Sequence, residues 1–391
     1  MHIQISIARS KGLRRMKPFS ALAAALVIGA GLSACGSDSS DSSSPSSSSG
    51  GTDSGVATAN EKLKQYESTP TKIIQTKPLD SPPPSGKTLV MLGTPDPGNV
   101  LIQRGLKEIA KLVDWKYEQV SYDPANIGSF NAAIDTALAK NPDYIAEAGL
   151  PLPSQALEKV KAAGVKWIVT AVHPVEVKPP VIAATNAYAN NAQMGEALAY
   201  YFIADSKGKG NAVIEHVPSY PILSGFTDAF TKTVKSLCPD CTTKMLNVTL
   251  PDVAAGKIPS IVTSALRSNP NADYVVFDYG PFAGGITSAL SGAGVKDVKV
   301  LGQAADSAAI ADLKNGKQTA WTGFDPGYQP YAMFDAMFRD LQGLPIDQAQ
   351  AALQPTQILT QDNIGSAEIK DGFWAEPADA AEQFKTLWKV S

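Results

Sequence analysis

From residue 87 onward the chain alternates short apolar runs with longer segments of helical period. TLVMLG (88–93) reads as a buried strand. The following VLIQRGLKEIAKLV places Leu101, Leu106, Ile109, Ala110 and Val113 on one helical face. The alternation continues through WKYEQVSY and NIGSFNAAIDTALAK, DYIAEA and PSQALEKVKAAG, then KWIVTA and VIAAT. A second series starts near Asn190 with NAQMGEALAYYFIADSKG and NAVIEHV, and runs through ILSGFTDAFTKTVKSL, TKMLNVT, AAGKIPSIVTSALRSN, ADYVVFDY, FAGGITSALSGAG, VKVLGQ, SAAIADLKNG and TAWTGF. Gly164, Gly294 and Gly316 each close a helical segment just before a strand, as a C′ glycine does. Strands alternating with helices predict parallel sheets covered on both faces. Two such series predict an α/β chain of two doubly wound lobes, with small ligands held at the carboxyl ends of the strands.

The first 60 residues follow another pattern. Lys11, Arg14, Arg15 and Lys17 precede the uncharged FSALAAALVIGAGL, then Leu32-Ser33-Ala34-Cys35 and a serine-rich tract. Basic, apolar and small residues in this order read as an export signal. The 14 apolar residues from Phe19 to Leu32 fall short of the roughly 20 of a permanent span. The four residues ending in Cys35 resemble the bacterial lipobox, which implies a signal peptide over 1–34 and a diacylglycerol-modified Cys35. Residues 35–60 are then expected to be a disordered tether, since serine offers little surface to bury. Residues 61–86, with Pro82, Pro83 and Pro84, are expected to be an extended lead-in. The twin arginines leave the export route open, and both Met1 and Met16 remain candidate starts.

A net charge of −3 supplies no basic field for nucleic acid, and 44% hydrophobic residues describe a chain with a core. With Cys35 set aside, Cys238 and Cys241 in Cys-Pro-Asp-Cys are expected to form a local disulfide at a helix end. The three histidines, His2, His173 and His216, lack ligand spacing, so no metal and no cofactor is expected. No Gly-x-Ser-x-Gly elbow or zinc motif appears. Ser85-Gly86-Lys87-Thr88 imitates the end of a phosphate loop, but Ser81 and the prolines occupy the rest of it and a strand follows. The chain therefore reads as non-enzymatic.

GVKDVKVLGQAADSAAIADLKNGKQTAWTG and NADYVVFDYGPFAGGITSALSGAG, with the element order around them, resemble the type I periplasmic substrate-binding proteins, the ribose- and galactose-binding family of ABC importers. The resemblance spans roughly Lys87 to Ile364, and the lead-in looks like that of an actinobacterial lipoprotein branch. It implies three chain crossings between lobes, with lobe one at 87–186 plus 325–354 and lobe two at 187–324 plus 355–391. It also implies a monomer that closes on a small molecule, is lipid-anchored at the outer face of the cytoplasmic membrane, and delivers its ligand to an ABC permease. A ligand-presenting sensor subunit for a membrane receptor is the alternative. The sugar repressors that share this fold carry a helix-turn-helix where this chain carries signal and tether.

Candidate ligand residues are Asp96 and Asn99 after the first strand, either of which also suits a helix cap, Glu147 after the third and His173 after the fourth. In lobe two they are Tyr220, Tyr279, Gln303, Phe324 and Asp325. The binding arginine of the family would fall near Ile222, ahead of Gly225-Phe226, and is missing. Its usual asparagine aligns with Tyr279, its aspartate with Ala304 beside Gln303, and its glutamine with Phe324 or Asp325. Sugar grips are thus replaced by rings, which fits a sugar-like ligand less well than an aromatic or apolar ring compound. Phe282 and Trp321 are nearby rings that suit core positions equally well.

Overall fold

The computed structural model describes residues 50–391 apart from Ala125; Cys35, the export signal and most of the serine tract lie outside the described residues. Five parallel strands form the first sheet: β1 (Thr88–Gly93), β2 (Lys116–Ser121), β3 (Tyr144–Ala148), β4 (Lys166–Thr170) and β5 (Val181–Thr185), in the order β2-β1-β3-β4-β5. The second sheet contains β6 (Asn211–His216), β7 (Thr242–Asn247), β8 (Tyr274–Phe277), β9 (Lys299–Gly302), β10 (Ala320–Thr322) and β11 (Ile358–Thr360). Its order is β11-β10-β9-β8-β6-β7, with only β11 antiparallel. Helices cover both faces of each sheet, so inner strands such as β3 and β8 are buried along their whole length, while the edge strands β2 and β7 stay partly exposed. The two doubly wound lobes expected from the alternation are present. The expected glycine stops hold as well, with Gly164, Gly294 and Gly316 all at positive φ.

The chain ends depart from expectation. Residues up to 60 were expected to be tether, yet Gly50–Leu63 is a helix that buries Ala59 and Leu63 against the second lobe. Its approach is close: a Cβ on Gly55 would lie 1.7 Å from the Leu237 carbonyl oxygen. Thr52 Oγ1 donates to Asp240 Oδ2 at 2.8 Å, in the turn closed by the Cys238–Cys241 disulfide. That disulfide lies where the sequence placed it, at the end of helix Ser224–Leu237.

From Tyr66 the lead-in passes to the first lobe, where Ile73 and Leu79 are buried, Leu79 N–H donates to Leu387 O at 2.8 Å and Trp115 Nε1 to Pro84 O at 2.7 Å. The last helix, Ala380–Trp388, belongs there too. The resemblance implies lobe two for all of 355–391, but Phe384 and Trp388 pack on helix Tyr328–Leu341 among Trp115, Phe334 and Phe338 of the first lobe. Burial of these rings outweighs the family boundary. The chain therefore passes between lobes at 67–73, 186–187, 323–327, 352–357 and 375–379.

Those passages are bonded to each other. Ala187 N–H donates to Ala352 O, and Gly323 N–H to Gln357 O at 2.7 Å. The buried Gln357 side chain donates from Nε2 to Glu67 O at 2.9 Å and accepts from Trp374 Nε1 at 3.2 Å. Gln357→Leu removes these side-chain bonds and leaves a buried indole N–H unpaired. The expected loss is about 2 to 3 kcal/mol of unfolding free energy, read from urea midpoints. A midpoint unchanged from the wild type would show that the bonds add nothing.

Candidate functional site

The carboxyl ends of both sheets converge on one cavity of about 230 Å³. The loop after β1 supplies Thr94 to Asn99, the loop after β3 Ala148 to Leu150, and the turn after β5 Asn186; the second lobe answers with Tyr220 after β6, Tyr279 after β8, Gln303 and Ala304 after β9, and Phe324 after β10. Strand order reverses between β1 and β3 and between β6 and β8, so adjacent loops diverge there and open a crevice. Two further contacts link the lobes. Arg104 of helix Pro97–Leu112 pairs with Asp371, in the turn of the hairpin Ile369–Lys370/Phe373–Trp374 on the second lobe. Between the lobes, the Tyr279 hydroxyl stands 3.1 Å from where a Cβ on Gly98 would be.

Of the nine expected ligand residues, Asp96, Asn99, Tyr220, Tyr279, Gln303 and Phe324 line the cavity. Asp96 both caps and lines: Asn99 N–H donates to its Oδ1 at 3.1 Å, and burial raises its carboxyl above the usual range. Asn99 spends its amide on the protein, accepting from Thr94 N–H and Gln103 Nε2 and donating to Ala148 O, so it braces the loops after β1 and β3. Gln303 Nε2 donates to Asp278 O and Asn191 Oδ1, while its buried Oε1 has no partner. Tyr279 meets Phe282 edge to face at 5.3 Å, and Phe282 lies 6.3 Å from Tyr220.

Three expected residues do not reach the wall. Glu147 is fully buried, with Oε1 accepting from Tyr122 Oη and Leu150 N–H, both at 3.1 Å. His173 packs its ring on Tyr188, 4.5 Å between centroids. Asp325 turns back to accept from Gly327 N–H at 2.7 Å and shapes the start of helix Tyr328–Leu341; burial pushes it up to about 6. In each case a neighbouring donor or ring captures the side chain before it reaches the cleft. Trp321 is core, buried inside β10 and bonded to Gln318. Phe282, which the sequence left between site and core, lines the wall, and with it stand residues the sequence reading passed over: Ile102, Met194, Leu223, Asn191 and Gln329. The run NAYANNAQ, dense in amides just after an apolar strand, was a signal for Asn186 and Asn191.

Beneath the second-lobe wall, Asp278 Oδ2 accepts from Val217 N–H and meets His216 Nδ1 at 2.7 Å, with Glu215 buried beside it. Burial raises both acids; the Asp278 charge raises Glu215 further, while hydrogen bonds from His216, Val217 and Glu215 partly offset the rise at Asp278. Among the described residues no group of His, Cys, Asp and Glu could hold a metal ion, and no helix is long and apolar enough to cross a membrane.

The periplasmic binding protein domain family matches residues 88–345. The chain belongs to that family. Solved structures share the fold of this family member at low identity. An ABC transporter solute binding protein from Mycobacterium smegmatis with bound glycerol is 17% identical, with a TM-score of 0.64 over 75% of this chain and 100% of that one. One from Agrobacterium vitis bound with alpha-D-tagatopyranose is 18% identical, with a TM-score of 0.62 over 74% and 99%. The 5-methylthioribose transporter solute binding protein from Thermotoga lettingae, in complex with 5-methylthioribose, is 15% identical, with a TM-score of 0.62 over 80% and 99%. No curated protein sequence matches significantly.

Burial pushes the Glu147 carboxyl from 4.5 up to about 8. The folded protein thus holds a proton that the unfolded chain releases, so this contribution is complete below about pH 4.5 and is lost as pH rises through about 8. Glu147→Gln, which imitates the protonated acid, should gain on the wild type by up to roughly 1.4 kcal/mol per pH unit between about pH 5 and about pH 8. Unfolding curves across that range check this; a difference independent of pH would place Glu147 in its ionised form.

Proposed function

We propose that this chain is an extracytoplasmic solute-binding lipoprotein, held through Cys35 at the outer face of the cytoplasmic membrane, that captures a small molecule between its lobes and delivers it to an ABC permease. The reading is carried by one observation: strand-end loops of both lobes meet on a single cavity, so a ligand there is touched from both sides and favours the closed arrangement. It acts as a monomer and catalyses nothing. Family membership supports the binding role. The solved relatives bind glycerol, tagatopyranose and 5-methylthioribose.

The wall argues for a ligand with a larger apolar surface than a monosaccharide. Tyr220, Tyr279, Phe282 and Phe324 stand with Ile102 and Met194, and among the described residues no arginine lines the cavity. Charged hydrogen bonds contribute about 1.5 to 3 kcal/mol each, so a site without the arginine grip loses much of its hold on sugar hydroxyls. Ring stacking and apolar burial take over that role.

A thermal-shift screen of residues 50–391, which keep helix Gly50–Leu63 whole, against monosaccharides, polyols, nucleosides, aromatic acids and steroid-like compounds tests this. A ligand at 100 times its Kd adds roughly 2.7 kcal/mol, a clear rise in Tm. Ring compounds should produce it, and Tyr279→Ala or Phe324→Ala should abolish it. A response confined to sugars would overturn the ring-compound reading while keeping the binding role.

A further inference from the structure

The charge lining the cleft is one-sided. Asp96 is the only Asp, Glu, Lys, Arg or His among the described lining residues. It stands at the aromatic end, where burial first and its charge second oppose ionisation of the Tyr220 and Tyr279 hydroxyls. Backbone N–H groups of Asn99 and Gly98 hold it in place on the cavity wall. Elsewhere on the wall, Gln303 Oε1 is a buried acceptor with no donor. An anion entering this cleft would lose its water, find no counter-charge and be repelled by Asp96. A cation would gain a carboxylate partner and the faces of neighbouring rings.

We propose that the cleft selects a ring compound bearing a basic amine, with the ammonium group against Asp96 among Tyr220, Tyr279 and Phe282, and rejects the matching anion. This rests on the solute-binding reading. It assigns Asp96 as the residue that sets charge specificity.

Three indoles of similar size separate the cases by calorimetry: tryptamine as cation, tryptophol as neutral alcohol and indole-3-acetate as anion. Tryptamine should bind about tenfold or more tighter than tryptophol, the value of one charge-assisted hydrogen bond, and indole-3-acetate should bind weakest. Asp96→Asn keeps the helix cap, since asparagine caps as well as aspartate, and removes the charge. In that variant the preference for tryptamine should fall to within about threefold while tryptophol binding is retained. Equal or tighter binding of indole-3-acetate, or a tryptamine preference that survives in Asp96→Asn, would overturn the proposal. A response to tagatose or glycerol with none to any indole overturns charge selection but leaves the binding role standing; silence from indoles and sugars alike removes the role as well.

Discussion

Gln357 sits where separate passages of the chain meet. Its carbonyl receives Gly323 N–H, its amide nitrogen reaches Glu67 O, and its amide oxygen holds the Trp374 indole at the start of the last passage. Two lobes joined by independent linkers could drift in several directions. Here the linkers are bonded laterally, so they bend as a set and the cleft keeps one registry between its walls. The cavity depends on this, because Asp96 and Tyr279 come from different lobes yet share one end of it.

The rest of the site follows from parallel strands. Crossover helices cover both sheet faces, which leaves strand ends as the places where side chains and backbone can meet a ligand. Strand ends also collect acids: Glu147 after Ala146, and Glu215 and Asp278 on neighbouring strands. Burial favours their protonated forms. The floor is therefore less negative than its composition suggests, and the wall's single carboxylate, Asp96, stands out against it.

Much of this was legible in the sequence, because strand length, helical period and glycine stops are local. The cavity loops followed from strand ends alone, and six of the nine expected residues reached the wall. Glu147 and His173 did not, since Tyr122 and Tyr188 lie within reach only once the chain is folded; Asp325 did not because it is taken by the N–H of Gly327, two residues on, a local turn. Helix Gly50–Leu63 was hidden by composition. Its sequence, GGTDSGVATANEKL, has weak helical propensity, and its buried face depends on Gly55 meeting the backbone of a helix far along the chain. Helix Ala380–Trp388 was readable in part, with Phe384 and Trp388 at i,i+4 spacing, but the lobe they choose is set by Trp115 and Phe338.

Helix Gly50–Leu63 also decides where mechanical load enters the protein. Tension on the N-terminal side of Thr52 is taken up by the Thr52–Asp240 bond and by the seating of Gly55 against Leu237, both on the second lobe. The disulfide-closed turn that presents Asp240 acts as the cleat of this mooring. The bonded passages lie downstream of it, so a tug on the leading end of the chain is absorbed before it can pry the cleft apart.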